Sequence, residues 1–234
     1  MKRKVTGKIK IVKNGPYLIS GGLSLEKDIV VSDKEGIPSG WKKGYTYPRQ
    51  DTYSLCRCGQ STNKPFCDGT HVKTGFNGTE TSSRAKYDEL AETIIGPGLA
   101  LKDNEKFCST GLFCHRSKDA WNLTEDSANE ESKQTAIQEA CDCPSGRIVA
   151  CDKKTGKPIE TDLEPSLGLI EDPARKVSGP LRVKGGVPVE SSDGSLYEVR
   201  NRVTLCRCGQ SRNKPFCDGT HVAAKFQDGD KSVD

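Results

Sequence analysis

Apolar and polar positions alternate along this chain only in short stretches, each bounded by glycine or proline. In residues 5–13, VTGKIKIVK, Val5, Gly7, Ile9 and Ile11 alternate with Thr6, Lys8 and Lys10, the period of a half-buried strand. Gly15-Pro16 turns the chain into Tyr17-Leu18-Ile19, a second strand ended by Gly21-Gly22. Residues 26–52 are polar and turn-rich, with Pro38, Gly40, Gly44 and Pro48, and read as a loop. They lead to a short strand at Thr52-Tyr53-Ser54-Leu55.

The same layout returns later. Gly179-Pro180 precedes Leu181-Arg182-Val183-Lys184 and Gly185-Gly186, and residues 196–205, LYEVRNRVTL, supply another strand. The repeat is therefore a module of roughly sixty residues, longer in its first copy by the 26–50 loop. Between the copies the pattern changes. Residues 94–101, IIGPGLAL, are strand-like, and residues 130–140, EESKQTAIQEA, are helix formers with a narrow stripe of Ala136, Ile137 and Ala140. Pro158, Pro165 and Pro173 mark an extended connector, and residues 227–234 read as a frayed tail.

Composition narrows the possibilities. Of 234 residues, 33% are hydrophobic and 6% aromatic, too few for one large core, so bound metal is a plausible extra crosslink. The net charge of +4 comes from mixed signs with no dense basic block, which argues against a nucleic-acid surface. No run approaches the ~18 apolar residues of a membrane helix, and the basic start lacks a signal peptide's apolar run. Eleven cysteines in such a chain point to metal in a reducing compartment, here the cytoplasm.

The chemistry concentrates in a stretch that occurs twice. Residues 55–72 read LCRCGQSTNKPFCDGTHV and residues 205–222 LCRCGQSRNKPFCDGTHV, differing only at Thr62 and Arg212. Each spaces its donors C-x-C-x8-C-x3-H: Cys56, Cys58, Cys67 and His71, then Cys206, Cys208, Cys217 and His221. A C-x-C pair on extended chain points both thiols to one face, where they could hold one iron. Asn63-Lys64-Pro65 turns Cys67 back towards them. With Asp68 as N-cap, Gly69-Thr70-His71 would open a helix whose dipole favours added negative charge. Cys67 and His71 could then hold a second iron. The residues alone leave an iron–sulfur cluster and tetrahedral Cys3His zinc both open. Disulfides are the poorer reading.

The pattern C-x-C-x2-S-x3-P-x-C-D-G-x-H, through Ser61, Pro65, Ser211 and Pro215, resembles the CDGSH iron–sulfur family that includes the mitoNEET-type proteins. Thr70 and Thr220 stand where the family name has serine. The resemblance implies a [2Fe–2S] cluster on each set of three cysteines and one histidine. It also implies a pseudo-dimer of two modules within a monomer, without a membrane anchor. Replacing one thiolate by neutral imidazole makes the cluster less negative and raises its potential, and a protonated ring cannot ligate.

Five cysteines remain between the modules. Cys108-x5-Cys114 and the later Cys143-Pro144-Ser145-Gly146 resemble a divergent mono-cluster ferredoxin domain, with Gly111 where the middle cysteine usually stands. That resemblance implies a [3Fe–4S] cluster on Cys108, Cys114 and Cys143, or a [4Fe–4S] cluster completed by Cys141, with Cys151 or His115 as lesser candidates. The bland reading is small buried cysteines without metal.

The expected architecture is α+β: two small β-rich CDGSH modules (1–83 and 173–234) flanking a ferredoxin-like segment with its connector (84–172). The expected function is electron transfer, or storage and transfer of clusters, with a redox protein or an apo-acceptor as partner. The alternatives are a redox- or pH-responsive sensor and a zinc-stabilised interaction protein. No nucleotide loop, flavin motif or nucleophile–histidine pair suggests an enzyme.

Overall fold

A computed structural model describes residues 5–116 and 118–233. It has three sheets. In the first, β1 (Lys8–Ile11) turns at Gly15-Pro16 into β2 (Tyr17–Ser20), with Ile9 opposite Ile19 and Ile11 opposite Tyr17. β3 (Ser24–Ser32) and β4 (Pro38–Thr46) follow as a hairpin, and β5 (Thr52–Leu55) returns to pair with β2.

The hairpin replaces the expected 26–50 loop, and it does not join its own module's sheet. β3 runs parallel to β9 (Ser166–Asp172), which pairs in turn with β10 (Val177–Lys184), and β10 with β12 (Arg202–Leu205). In exchange, β11 (Val189–Glu190) crosses back and runs parallel to β1, with Val189 opposite Ile9. The sheet orders are β11-β1-β2-β5 and β12-β10-β9-β3-β4. The chain is thus an α+β protein whose two repeat modules form an intrachain pseudo-dimer by exchanging strands.

One core serves both halves. Ile9, Ile11, Ile19 and Leu55 pack with Leu167, Leu169, Leu181 and Leu205, all at most 2% exposed. Each such side chain contributes about 1.5–3 kcal/mol of burial.

Three other expectations change. The 158–172 connector ends as β9, a fully buried strand. Gly179-Pro180 is not a turn like Gly15-Pro16; it lies within β10 at a register shift between Ser178 and Leu181, where a proline costs no ladder bond. The 227–234 tail is docked as far as it is described: Asp228 and Asp230 pair with the buried Lys27, at 3.0 and 3.1 Å, and Val233 is 1% exposed.

The middle segment builds the third sheet, from β6 (Glu92–Ile95), β7 (Ala100–Asp103) and β8 (Ile148–Cys151). After the one-turn helices α1 (Thr70–Lys73) and α2 (Tyr87–Leu90), helices α3 (Ala120–Glu125) and α4 (Glu130–Asp142) cover it, the Ala136 and Ala140 stripe meeting Leu101 and Ile148. Asn129 caps α4 by accepting from the Glu131 and Ser132 N–H groups. No helix among the described residues is long and apolar enough to cross a membrane.

Candidate metal centres

In the first motif, β5 delivers Cys56, and a bridge between Leu55 and Phe66 brings the return strand beside it. The Cys56 N–H donates to the Pro65 carbonyl at 2.8 Å and the Cys67 N–H to the Ser54 carbonyl at 3.0 Å. The Lys64–Pro65 peptide is cis, as is Lys214–Pro215. Asp68 lies one place before the cap position expected of it. Gly69, at φ 85, is the N-cap of the single-turn helix Thr70–Lys73, and the Asp68 carboxylate accepts from the Thr70 N–H at 3.0 Å and from Thr62. These bonds, from Thr70 and Thr62, hold the carboxyl well below its usual range. A helix of one turn contributes little dipole.

The donors fall in pairs. Cys56 Sγ lies 3.7 Å from Cys58 Sγ, and Cys67 Sγ lies 3.4 Å from His71 Nδ1. The second motif repeats this at 3.8 Å for Cys206 and Cys208 and 3.4 Å for Cys217 and His221. Two thiolates on one tetrahedral metal, with metal–sulfur bonds of ~2.3 Å, lie roughly 3.8 Å apart. The predicted donors therefore fit metal, two to each ion. Among the described residues no three His, Cys, Asp or Glu side chains converge on a single ion. Burial pushes the thiols of Cys58, Cys67 and Cys217 up, so their thiolates call for a nearby cation.

The arginine inside each C-x-C was not singled out from the sequence, although its presence in both copies was a usable signal. Arg57 is 1% exposed, lies over the rings of Phe76 (5.4 Å) and Tyr17 (5.7 Å), and donates to the Gly78 carbonyl. Arg207 instead pairs with Glu171 at 3.0 Å and with Asp228, both of which also meet Lys27. Each site thus has a buried guanidinium beneath it, differently compensated.

The sites also touch each other. Gly59 (φ 76) lies against the backbone of Cys208, and Gly209 (φ 80) against that of Cys58, leaving no space for a Cβ at either. They differ in cover. His71 is half-buried and His221 3% exposed. Burial, with Arg175 and Arg207 nearby, holds the His221 imidazole down at about 4.

Between the modules, Cys108, Cys114 and Cys143 line one cavity of about 160 Å³, with His115 and Arg147 also on its wall. Burial, reinforced by Cys143, pushes the Cys114 thiol up to about 12. Cys141 is not among them: it sits in α4 with its thiol towards the Ile159 carbonyl, 3.6 Å away. Cys151 faces the Val149 carbonyl from β8. A Cβ on Gly111 would stand 2.9 Å from Pro144, so the loop closes where a middle cysteine would project.

Two family descriptions match these segments. Iron-binding zinc finger CDGSH type matches residues 14–72 and 178–222, and divergent 4Fe-4S mono-cluster matches residues 94–153. No curated protein and no solved structure among those compared matches the chain. The donor sets and these matches define an iron–sulfur protein. More particularly, its matched segments have a tandem CDGSH arrangement, two CDGSH-type segments flanking a divergent 4Fe-4S mono-cluster segment.

Proposed function

We propose that the protein carries single electrons and holds transferable clusters, with a [2Fe–2S] cluster on each CDGSH donor set. The pairing of donors supports this most directly: Cys/Cys at 3.7 Å and Cys/His at 3.4 Å suit two irons with two protein ligands each. Such a cluster supplies a one-electron couple. The chain's own residues would tune it through the imidazole ligand, the guanidinium of Arg57 or Arg207, and N–H donors to sulfur, such as Gln60 to Cys58 at 3.5 Å.

Cys108, Cys114 and Cys143 suit a third cluster, [3Fe–4S] with these three alone or [4Fe–4S] with one further ligand. His115 lines the same cavity and is the better-placed fourth donor than Cys141. The partner is a redox protein or a cysteine-bearing apo-acceptor. Eleven free thiols suit a reducing compartment, the cytoplasm. No catalytic role is proposed.

Electron paramagnetic resonance of the anaerobically purified protein, as isolated and after dithionite, tests the cluster types. Iron and sulfide counting complements it: about four irons per chain correspond to the CDGSH pair alone and seven or eight to all three clusters. Cys108→Ser should lower the count by the central cluster, and Cys141→Ser should leave it unchanged. Zinc in place of iron would overturn the reading.

A further inference from the structure

We propose that the two CDGSH sites, almost identical in sequence, have divided roles: the first hands its cluster to an acceptor, and the second retains its own under a cover built by the central segment. The proposal rests on the reading of both as cluster sites.

The difference lies above the ligands. Gly69 faces open space, and a Cβ built there meets nothing within 4 Å. Its counterpart Gly219 lies directly under the side chain of Thr110. The loop carrying Thr110 is fastened across the second motif at three points. Asn213 Nδ2 donates to the Lys106 carbonyl at 2.7 Å, and the Phe107 ring meets Phe216 edge-on at 4.9 Å. Arg175 Nη1 donates to the Thr110 carbonyl at 2.7 Å. Thr110 itself sits at φ 55, a left-handed conformation unfavourable for a β-branched residue, so its placement is imposed by these contacts.

The cover reaches the ligands. Cys217 and His221 are 2% and 3% exposed, whereas Cys67 and His71 are half-buried. Val72, beside His71, is 74% exposed and offers an apolar contact to an incoming chain. Transfer from the first site is ligand exchange. An acceptor thiolate bonds to the iron as His71 Nδ1 leaves, and further acceptor thiolates replace Cys67, Cys56 and Cys58. Protons from the acceptor thiols pass to the released donors, and the cluster's electron count is unchanged. The acceptor is therefore a protein with a preformed set of free cysteines.

The test is a challenge of the full chain, purified anaerobically, with excess ferrous chelator or apo-ferredoxin. Aliquots are reduced and their [2Fe–2S] resonance is followed. Two phases of equal amplitude are expected, differing at least about tenfold in rate, as roughly 1.4 kcal/mol of extra opening cost implies. A Cys56→Ser/Cys58→Ser variant should keep only the slow phase. Thr110→Gly, which suits the left-handed backbone, should quicken the slow phase and leave the fast one alone. A single phase, loss of the slow phase with the first site's ligands, or indifference to Thr110→Gly would each overturn the division. Should the protein bind zinc, the cluster reading fails by metal analysis, and the same phases in zinc release then decide the asymmetry separately.

Discussion

The hydroxyl of Tyr17 donates a 2.8 Å hydrogen bond to the carbonyl oxygen of Cys206, 189 residues further along the chain. The same ring lies beneath the guanidinium of Arg57, 5.7 Å from its centroid. One side chain thus joins the backbone of the second site to the arginine of the first. Burial pushes its hydroxyl well above the usual range, so it stays a donor. Leu181 occupies the corresponding place opposite Leu205, and it has no hydroxyl, so the link runs one way only.

Tyr17→Phe should therefore cost about 1–2 kcal/mol, the loss of a buried hydrogen bond with its acceptor left in place. Urea unfolding measures this. Redox titration should show the second site's potential moving more than the first's.

Gly59→Ala and Gly209→Ala should each cost about 2–3 kcal/mol or more, because each combines a positive φ with backbone contact across the pseudo-twofold. The effect should cross over. Gly59→Ala disturbs the resonance of the second site, through Cys208, and Gly209→Ala that of the first.

Burial alone would raise the Asp228 carboxyl, but Arg207 and Lys27 outweigh it and hold it well below its ordinary range. A depressed carboxyl contributes stability above its unfolded value, lost as pH falls through the folded one. Undocking of the C-terminal segment is thus expected only below about pH 4. Asp228→Asn at neutral pH leaves Arg207 and Lys27 with less compensation and should cost about 3 kcal/mol. Hydrogen exchange over residues 226–233 and thermal unfolding check both statements.

Held down at about 4, His221 takes up its proton later than an ordinary imidazole as pH falls. Its contribution to folding is complete above about 6.5 and declines between there and about 4. Visible absorbance should decay faster at about pH 5.5 than at about pH 8. His221→Cys should matter only in stronger acid, below the range in which an ordinary imidazole protonates.

Much of the site was legible because its information is local. The C-x-C-x8-C-x3-H spacing, the strand at 52–55 and the turn at Lys64-Pro65 all act within eighteen residues. The 26–50 hairpin was not legible. Its polar residues look solvated until Glu171, Asp228, Arg182 and Lys184, all at least 140 positions away, arrive to pair with Lys27, Asp28 and Glu26. The docked tail was hidden for the same reason, since an aspartate-rich end reads as frayed without its buried cations. Cys141 followed a sound local argument, but its thiol faces the Ile159 carbonyl and does not line the cavity that Cys143 lines. The arginines of the C-x-C pairs carry the same letter in both copies, while their different compensation lies in remote residues.

The exchange of β3 and β11 also governs how the chain is made. When the ribosome has finished the first motif, β1 still lacks its parallel neighbour, and the β3–β4 hairpin has no sheet to join. Both wait for residues 166–190, on the order of ten seconds of synthesis later. Until then an unpaired strand edge and a half-formed cluster pocket stand open together. The contact of Gly59 with the Cys208 backbone, which packs the first site against the second, therefore forms only once the second half of the polypeptide is complete.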